Sequence, residues 1–553
     1  MNFETLLTEI NGFGKFQISL FCLLYIPLIT LPSNFLLNNF IAAVPSHHCD
    51  ISMVGKEDKF GNLTLEQRIA ISIPKDSDGT HSACSMYSEP QFLLLHNSSI
   101  ETDISASVEC QNGWVYDKTL FRSTIATEWD LVCGRRGLNR ATATIFFIGV
   151  MVGAVVMGIL SDRYGRKTIL LVSYIIAAIF GVTSAFSTSY VMFAITRFCT
   201  GFGLTGISII ATVLNVEWVD VKHRLLVSLL GGFSWPLGTM WLAGTAYFIN
   251  EWRWLTGVII CPLFLAMLTW FWVPESARWL IANGKMKQAH RYLSRGAKMN
   301  NRPEFSSKFT LEMLSSAVVV EPTKKNYSYL DLVRTPRMRR LALLTGPVWF
   351  GIALTYYGIS LNITGFGLNI YLTQAIYGGI EIPAKLLTFY CLHKIGRRQS
   401  QAWSLILTGV CIAITIALPN HLQILRTVIA IIGKGLGEAA FTIILLYTAE
   451  LYPTVVRQNG FGYNSFLARL GVSIAPLIMM LEDVWKFLPQ VIFCTVAIAS
   501  GTLAWLLPET LNAHLPETID DVEQRRTVIG ISAQEKGNIP LRSACGNTNE
   551  DEA

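Results

Sequence analysis

The segment GILSDRYGRK occupies residues 158–167, directly after a long apolar stretch, and an altered copy of it, LHKIGRRQS, occupies residues 392–400. Two further segments return in the same order: EWVDVKHR (217–224) as ELYPTVVR (450–457), and PESARW (274–279) as PETLNA (508–513). All three copies follow their counterparts after nearly the same number of residues. The chance recurrence of one short turn would not produce this regular spacing. The sequence therefore predicts two homologous halves with charged segments at matching positions.

The composition indicates a membrane protein, because 51% of the 553 residues are hydrophobic and only 15% are charged, with a mean hydropathy of +0.42. Apolar stretches long enough to cross about 30 Å of hydrocarbon as helices recur about twelve times. They lie near residues 16–43, 141–160, 168–188, 190–214, 226–249, 254–273, 341–362, 370–392, 401–418, 422–449, 460–480 and 486–507. The predicted fold class is an all-α polytopic membrane protein with twelve transmembrane helices in two pseudo-symmetric six-helix halves.

The charges between the spans predict the orientation of the chain. The loop after span 1, residues 44–138, is rich in Asp and Glu, whereas the loop after span 6, residues 274–340, is dominated by Lys and Arg. Cytoplasmic loops carry the excess of positive charge, so we expect the basic loop and both termini to be cytoplasmic and the acidic loop to be extracellular. The predicted division is an N-terminus at 1–15, span 1 at 16–43, the outer loop at 44–138, spans 2–6 within 139–273, the basic loop at 274–340, spans 7–12 within 341–507 and a largely disordered polar tail at 508–553.

The predicted outer loop has the features of a secreted segment. It contains four cysteines, which we expect to form two disulfides, with three pairings open: Cys49, Cys84, Cys110 and Cys133. It also contains the sequons Asn62-Leu-Thr and Asn97-Ser-Ser. Both asparagines are predicted glycosylation sites because this loop would face the secretory lumen.

The pattern G-x3-D-R-x-G-R-K at Gly158 to Lys167 resembles the signature of the major facilitator superfamily, although its second copy has His393 and Lys394 where Asp and Arg would stand. The cysteine-containing loop, PESARWL after span 6 and ELYPTVVRQ after span 10 resemble the solute carrier 22 family of organic ion transporters over residues 1 to about 523. The resemblance implies the major facilitator fold, alternating access about a site at mid-membrane, and exchange of an external anion for an internal dicarboxylate.

The charged residues of the repeated segments are interpreted as a cytoplasmic gate. Opposite charges on neighbouring helix ends could hold the cytoplasmic opening of the central cavity closed until the two halves move relative to each other. The six predicted gate residues are Asp162, Arg166, Glu217, Arg224, Glu450 and Arg457. The alternative is that they are ordinary end charges that orient helices at the membrane surface. Their presence in both halves favours the gate.

Ionisable residues deep inside a span are candidates for function, because they are costly unless they face a cavity or a partner. Lys385 and Arg469 lie near mid-depth of spans 8 and 11, and Glu381 precedes Lys385 by one helical turn. Glu381 and Lys385 can pair on one helix face, because they are four residues apart; in the alternative, that pair serves packing only. Arg469 has no such local acid. The predicted central cavity therefore carries surplus positive charge and attracts anions.

Aromatic residues at comparable depth complete the predicted substrate-binding set: Trp235, Trp349, Tyr356, Tyr357 and Phe441. Any one of them alone could serve packing, but buried tyrosine hydroxyls need partners. The resemblance implies that Tyr356, Tyr357, Lys385 and Arg469 line the substrate path, and that cation carriers of the family have aspartate at the position of Arg469. The chain departs from the pattern at Glu381, where aspartate is frequent, and at Trp235, where tyrosine is usual.

These observations predict a polyspecific transporter of small organic anions in a lipid bilayer, with no nucleic acid as partner. The resemblance implies a counter-transported dicarboxylate as a further partner. We expect no cofactor or metal, and no enzyme, since the sequence lacks a Walker loop, HExxH and a G-x-S-x-G elbow. A monomer is sufficient and an oligomer is left open; the expected location is the plasma membrane, at the basolateral face of epithelia. The alternatives are an organic cation or zwitterion carrier, a channel, and a non-transporting receptor. Arg469 argues against cations, and the two-halved repeat argues against a channel.

Overall fold

The structure is a computed structural model that describes residues 3–52, 63–76, 80–91, 106–302, 304, 328–362, 369–419, 421–511, 516 and 518–523. The two predicted glycosylation sites, Asn62 and Asn97, lie outside the described residues. The same is true of the tail beyond residue 523, so its predicted disorder stays a prediction.

Twelve long helical segments account for the predicted spans within the described ranges. Spans 1–6 are Lys15–Phe35, Arg136–Tyr164, Arg166–Ala185, Tyr190–Glu217, Val221–Gly232 with Ser234–Phe248, and Trp252–Thr269. Spans 7–12 are Pro336–Leu361, Ile370–Lys394, Arg397–Ala417, Gln423–Leu451, Arg457–Met479 and Leu488–Trp505. Eleven of these segments are long and apolar enough to cross a membrane. The remaining one is span 8, whose hydropathy is lowered by Glu381 and Lys385.

Several helices extend past the apolar stretches that predicted them. The predicted stretch 141–160 lies inside the helix Arg136–Tyr164, and 341–362 corresponds to Pro336–Leu361. Helical hydrogen bonding does not require apolar side chains, so the polar ends continue the helix beyond the hydrocarbon. At the start of span 7, Pro336 takes the first helical position, where its missing N–H is not needed.

The predicted duplication is visible in the turns between spans 2 and 3 and between spans 8 and 9. Gly165 and Gly396 occupy these turns with φ of 101° and 100°, a region that favours glycine. A Cβ atom at Gly165 would lie 2.5 Å from a Glu275 carboxylate oxygen, and one at Gly396 would lie 2.8 Å from a Glu509 oxygen. The two halves therefore build the same close contact between a turn and the segment that follows their sixth helix.

The loop between spans 1 and 2 is closed by two disulfides. Cys49 pairs with Cys110 and Cys84 pairs with Cys133, which decides among the three pairings that the sequence left open. Short antiparallel strands support them: His47–Cys49 pairs with Trp114–Tyr116, and Ser85–Tyr87 pairs with Ser107–Glu109. Helices Leu65–Ser72 and Ile125–Glu128 and the 3-10 helix Cys133–Arg135 also belong to the described part of the loop. We call the face of the helix bundle that carries this loop the disulfide side.

The opposite face carries residues 274–340, and we call it the basic side. Its described helices are Ala277–Ala282, Met286–Met299 and Asp331–Arg334. The N-terminal helix Phe3–Glu9 buries Leu6 and Leu7 on this face. The Asn300 side chain ties this segment down, because it accepts a hydrogen bond from the Phe16 backbone N–H (2.9 Å) and donates one to the Ile10 carbonyl oxygen (2.8 Å).

Candidate functional site

A cavity of about 480 Å³ lies between the two halves. Its wall includes five of the eight predicted substrate-binding residues: Trp235, Tyr356, Tyr357, Lys385 and Phe441. It extends to Asn215 near the end of span 4 and to Phe461 near the start of span 11, both close to the basic side. The cavity therefore opens toward the basic side.

The halves are joined on the disulfide side. Arg140 of span 2 forms an ion pair with Glu482 after span 11 (2.6 Å), and Arg136 forms one with Asp483 (3.2 Å). The Asn39 amide donates to the Ser360 carbonyl oxygen at 2.9 Å. These contacts between halves close the mouth of the cavity on this side.

Two ion pairs join spans 8 and 10 at the level of the cavity. Lys385 pairs with Glu438, and Glu381 pairs with Lys434 at 3.0 Å. The expected pair within span 8, between Glu381 and Lys385, is wrong because each residue binds a residue of span 10 instead. The physical reason is alignment: span 8 presents Glu then Lys one turn apart, and the parallel span 10 presents Lys then Glu at the same heights.

Glu381 lies behind the cavity wall and not in it. Its side chain is 1% exposed and accepts a hydrogen bond from the Tyr356 hydroxyl at 2.6 Å. The Lys434 ammonium lies 3.2 Å from the centre of the Tyr356 ring, and the Trp235 indole N–H donates to the Tyr356 hydroxyl at 2.8 Å. Because Trp235 belongs to the first half, this network couples the two halves through a tyrosine hydroxyl.

Arg469 and Trp349 also lie outside the residues that line the cavity. The Arg469 guanidinium donates to the Thr205 hydroxyl of span 4 at 2.9 Å, so it bridges the halves without an acidic partner among the described residues. The Trp349 indole donates to Thr448 and its ring packs edge-on against Phe441, with centroids 6.2 Å apart. Trp349 thus supports an aromatic residue of the wall from behind.

Sequence reasoning missed Lys434 and Glu438, although both stand in GKGLGE (433–438) inside the predicted stretch 422–449. The available signal was a Lys and a Glu one helical turn apart, as in span 8. It also missed Arg197 in span 4, whose guanidinium is 1% exposed and lies 4.4 Å from the centre of the Phe146 ring.

Among the described residues deep inside the spans, cations outnumber carboxylates. The cations are Arg197, Lys385, Lys434 and Arg469, and the carboxylates are Glu381 and Glu438. A buried ion is costly unless it is paired or solvated by polar groups. The surplus positive charge therefore makes this interior electrostatically favourable for an anion. Gly232 lies beside the Lys385 ammonium in the wall, since a Cβ atom there would be 3.9 Å from the Lys385 Nζ, an ordinary van der Waals distance.

The predicted gate residues form two clusters on the basic side, one in each half. In the first half, Arg166 binds Asp162 (3.0 Å) and Glu217 (3.4 Å). Glu275, which the prediction omitted, accepts hydrogen bonds from the Arg166 (2.9 Å) and Lys167 (3.1 Å) backbone N–H groups. Burial raises the pKa of the Glu275 carboxyl, and these N–H donors oppose that rise.

The second half repeats this cluster with other partners than we predicted. Arg397 takes the place of Arg166 and binds Glu450 at 3.0 Å, while Glu509 takes the place of Glu275 and accepts from the Arg397 backbone N–H at 2.9 Å. Arg457 donates to the Tyr452 carbonyl oxygen (3.2 Å).

In the first half, Arg224 donates in the same way to the Val219 carbonyl oxygen (3.3 Å). Among the described residues, the ion pairs that Arg166 and Arg397 form stay within their own half of the protein.

Comparisons with known proteins identify the class. The family profile described as Sugar (and other) transporter matches residues 113–520. The inward open conformation of the xylose transporter XylE from E. coli superposes with a TM-score of 0.59 at 14% identity, covering 92% of this chain and 99% of that one. The chain therefore has the major facilitator fold, and it is a membrane transporter and not an enzyme.

Two relatives narrow the class. Solute carrier family 22 member 7 of Homo sapiens is 44% identical over 544 residues, which cover 97% of this chain and 98% of the relative. Solute carrier family 22 member 6-A of Xenopus laevis is 40% identical over 529 residues, which cover 95% and 94%. The chain belongs to solute carrier family 22.

Proposed function

We propose that this protein is a polyspecific organic anion transporter that works by alternating access and exchanges an external anion for an internal dicarboxylate. The observation that carries the proposal is the surplus of buried cations around a cavity whose wall contains Lys385. Small aromatic or amphipathic anions fit this chemistry: carboxylates, cyclic nucleotides, prostaglandins, urate and sulfated conjugates.

In this proposal the substrate anion binds Lys385 in place of Glu438. Both residues line the cavity, and they pair with each other. A substrate carboxylate supplies the same charge at the same ammonium, and the electrostatic cost of the exchange is that Glu438 loses its cation. Glu438 is released toward Thr442, whose hydroxyl already lies 3.5 Å from its carboxylate.

Aromatic residues from both halves supply the remaining contact area. Tyr357 packs edge-on against Trp235 and Phe147 of the first half, with ring centroids 6.4 and 5.3 Å away. Aromatic faces bind flat rings without demanding one hydrogen-bond pattern, which accounts for a broad substrate range. The pairs Trp235–Tyr356 and Arg469–Thr205 cross between halves, so a bound anion can bias their relative position through differential contacts.

The proposed location is the plasma membrane, at the basolateral face of epithelia, with both termini cytoplasmic. The positive charge of the loop 274–340 supports this orientation. On this orientation the cavity described above faces the cytoplasm, where an internal dicarboxylate would enter it.

The deciding experiment is uptake into cells that express the protein. A labelled aromatic monocarboxylate and a labelled organic cation are offered separately, with and without a dicarboxylate loaded inside the cells. We expect saturable anion uptake that rises with preloading. Cation uptake without anion uptake would overturn the proposal, and anion uptake that ignores preloading would overturn the exchange step alone.

A zwitterion is the second candidate substrate. Lys385 and Glu438 lie side by side in the cavity wall, so a molecule with a carboxylate and an ammonium could bind both. The same assay with a labelled zwitterion separates the two. If the zwitterion is taken up and the monocarboxylate neither enters nor competes, the second candidate replaces the first.

A further inference from the structure

The helix Met286–Met299 on the basic side carries a stripe of four cations. They are Lys287, Arg291, Arg295 and Lys298, spaced four, four and three residues apart, and all four are exposed. Residues three and four apart share one face of a helix, so the four charges form a continuous line along the helix. We call this line the basic stripe.

The opposite face of the helix Met286–Met299 packs against the bundle. Ala289, Leu293, Gly296 and Ala297 are buried and lie on the face opposite the basic stripe. Gly296 packs near the Phe16 ring at the start of span 1, with a Cβ position 3.4 Å from it. The helix is therefore held against the bundle by its apolar face, and the basic stripe points away from the protein.

Within the described part of the chain, none of the four cations forms an ion pair. Arg295 instead lies close enough to Lys167, at the start of span 3, for the two like charges to interact. Lys167 in turn lies 4.7 Å from the centre of the Trp270 ring at the end of span 6. The basic stripe thus reaches the point where two spans leave the membrane.

Exposed aromatic residues mark the same level. Phe271 is 70% and Trp272 is 60% exposed at the end of span 6. Aromatic side chains at span ends lie at the headgroup level of a bilayer. Clusters of Lys and Arg next to transmembrane helices attract anionic lipids, each charge contributing independently of the others to first order.

We propose that the basic stripe binds anionic phospholipid headgroups of the leaflet on the basic side. The phosphate and carboxylate groups of phosphatidylserine complement four unpaired cations at the headgroup level. This binding is independent of the transported substrate, so it stands or falls separately from the proposed function.

The test uses native mass spectrometry of the purified full chain, titrated with phosphatidylserine or phosphatidylcholine. We expect the unaltered protein to retain phosphatidylserine in preference. The fourfold variant Lys287→Gln, Arg291→Gln, Arg295→Gln and Lys298→Gln should lose that preference, because glutamine keeps helix propensity and removes charge. The double variant Arg291→Gln with Arg295→Gln should weaken apparent phosphatidylserine affinity by about thirtyfold.

The matched control is Lys118→Gln with Arg122→Gln, which removes two exposed cations on the disulfide side. It should keep the preference for phosphatidylserine. If the fourfold variant does not fold, the double variant decides. An unchanged preference in the stripe variants overturns the proposal. An equal loss in the control also overturns it, because the effect would then be general.

Discussion

The two halves of the protein agree at their ends and differ at their centres. At the basic side each half places an arginine between a carboxylate of its fourth helix and the segment after its sixth: Arg166 with Glu217 and Glu275, and Arg397 with Glu450 and Glu509. At the centre, the second half carries two ion pairs between spans 8 and 10. Among its described residues, the first half carries the buried cation Arg197, which lies against an aromatic ring.

This difference separates what the fold requires from what transport requires. The end clusters hold the turns between helices, and both halves need them because both have the same helix order. The centre of the second half supplies charge, and the first half supplies Trp235, Phe147 and the Thr205 hydroxyl. In the proposed function, a substrate in the cavity meets charge from the second half and aromatic surface from both halves.

The largest expected effect on stability comes from breaking one of the two buried ion pairs of the second half. Lys434→Met leaves Glu381 buried without its cation, which costs about 3–5 kcal/mol of the free energy of unfolding. The thermal midpoint of the purified protein should fall steeply, and Lys434→Met combined with Glu381→Met should restore most of it. Arg197→Met in the first half should change the midpoint less, because no carboxylate loses a partner. Equal thermal midpoints for Lys434→Met and Arg197→Met would contradict the difference between the centres of the two halves.

The next effect concerns binding. Lys385→Gln removes the ammonium from the cavity wall, and a charged hydrogen bond contributes about 1.5–3 kcal/mol, so anion uptake should fall by about tenfold to a hundredfold. Uptake is measured per molecule at the cell surface. Lys394→Gln, at the exposed end of the same helix, is the matched control and should transport normally. Normal uptake by Lys385→Gln would remove this residue from the site.

A third experiment tests whether the end clusters of the two halves contribute equally to stability. Glu275→Gln and Glu509→Gln each weaken the acceptor of two or more backbone N–H groups, at a cost of about 1–2 kcal/mol. The two variants should lower the thermal midpoint by similar amounts. A large effect of one and none of the other would show that the clusters are alike in geometry but not in role.

The smallest expected effect concerns the contact between halves on the disulfide side. Arg140→Ala removes a partly exposed ion pair with Glu482, and should shift the balance between conformations by about 1 kcal/mol. Hydrogen exchange at the disulfide-side ends of spans 2 and 11 should become faster. Arg135→Ala, an exposed neighbour, is the control. Unchanged exchange in Arg140→Ala would mean that the other contacts between halves suffice to close this side.

Sequence reasoning predicted the spans well because membrane insertion depends on local composition. Most predicted stretches lie on one helix, with ends displaced by a few residues where polar turns continue the helix, as at Pro336. The stretch 16–43 instead covers two helices, Lys15–Phe35 and Asn38–Ile41, and 226–249 also runs over two. It predicted the gate less well, because the second copy of the motif had changed. The predicted gate set includes Arg457, the counterpart of Arg224, but leaves out Arg397, although Gly396-Arg397-Arg398 is the copy of Gly165-Arg166-Lys167.

The sequence by itself determined that the chain crosses a membrane many times, that its halves are duplicated, that its first loop holds two disulfides, and that cations stand deep in its spans. Those properties follow from composition and spacing along one chain. Only the tertiary structure decided which cysteines pair, that Lys385 binds Glu438 and Glu381 binds Lys434, and that Arg469 and Trp349 stand back from the cavity wall. Which residues pair depends on which helices are neighbours and on the depth of each residue along its helix. Residues far apart in the sequence carry no local pattern that reveals this packing.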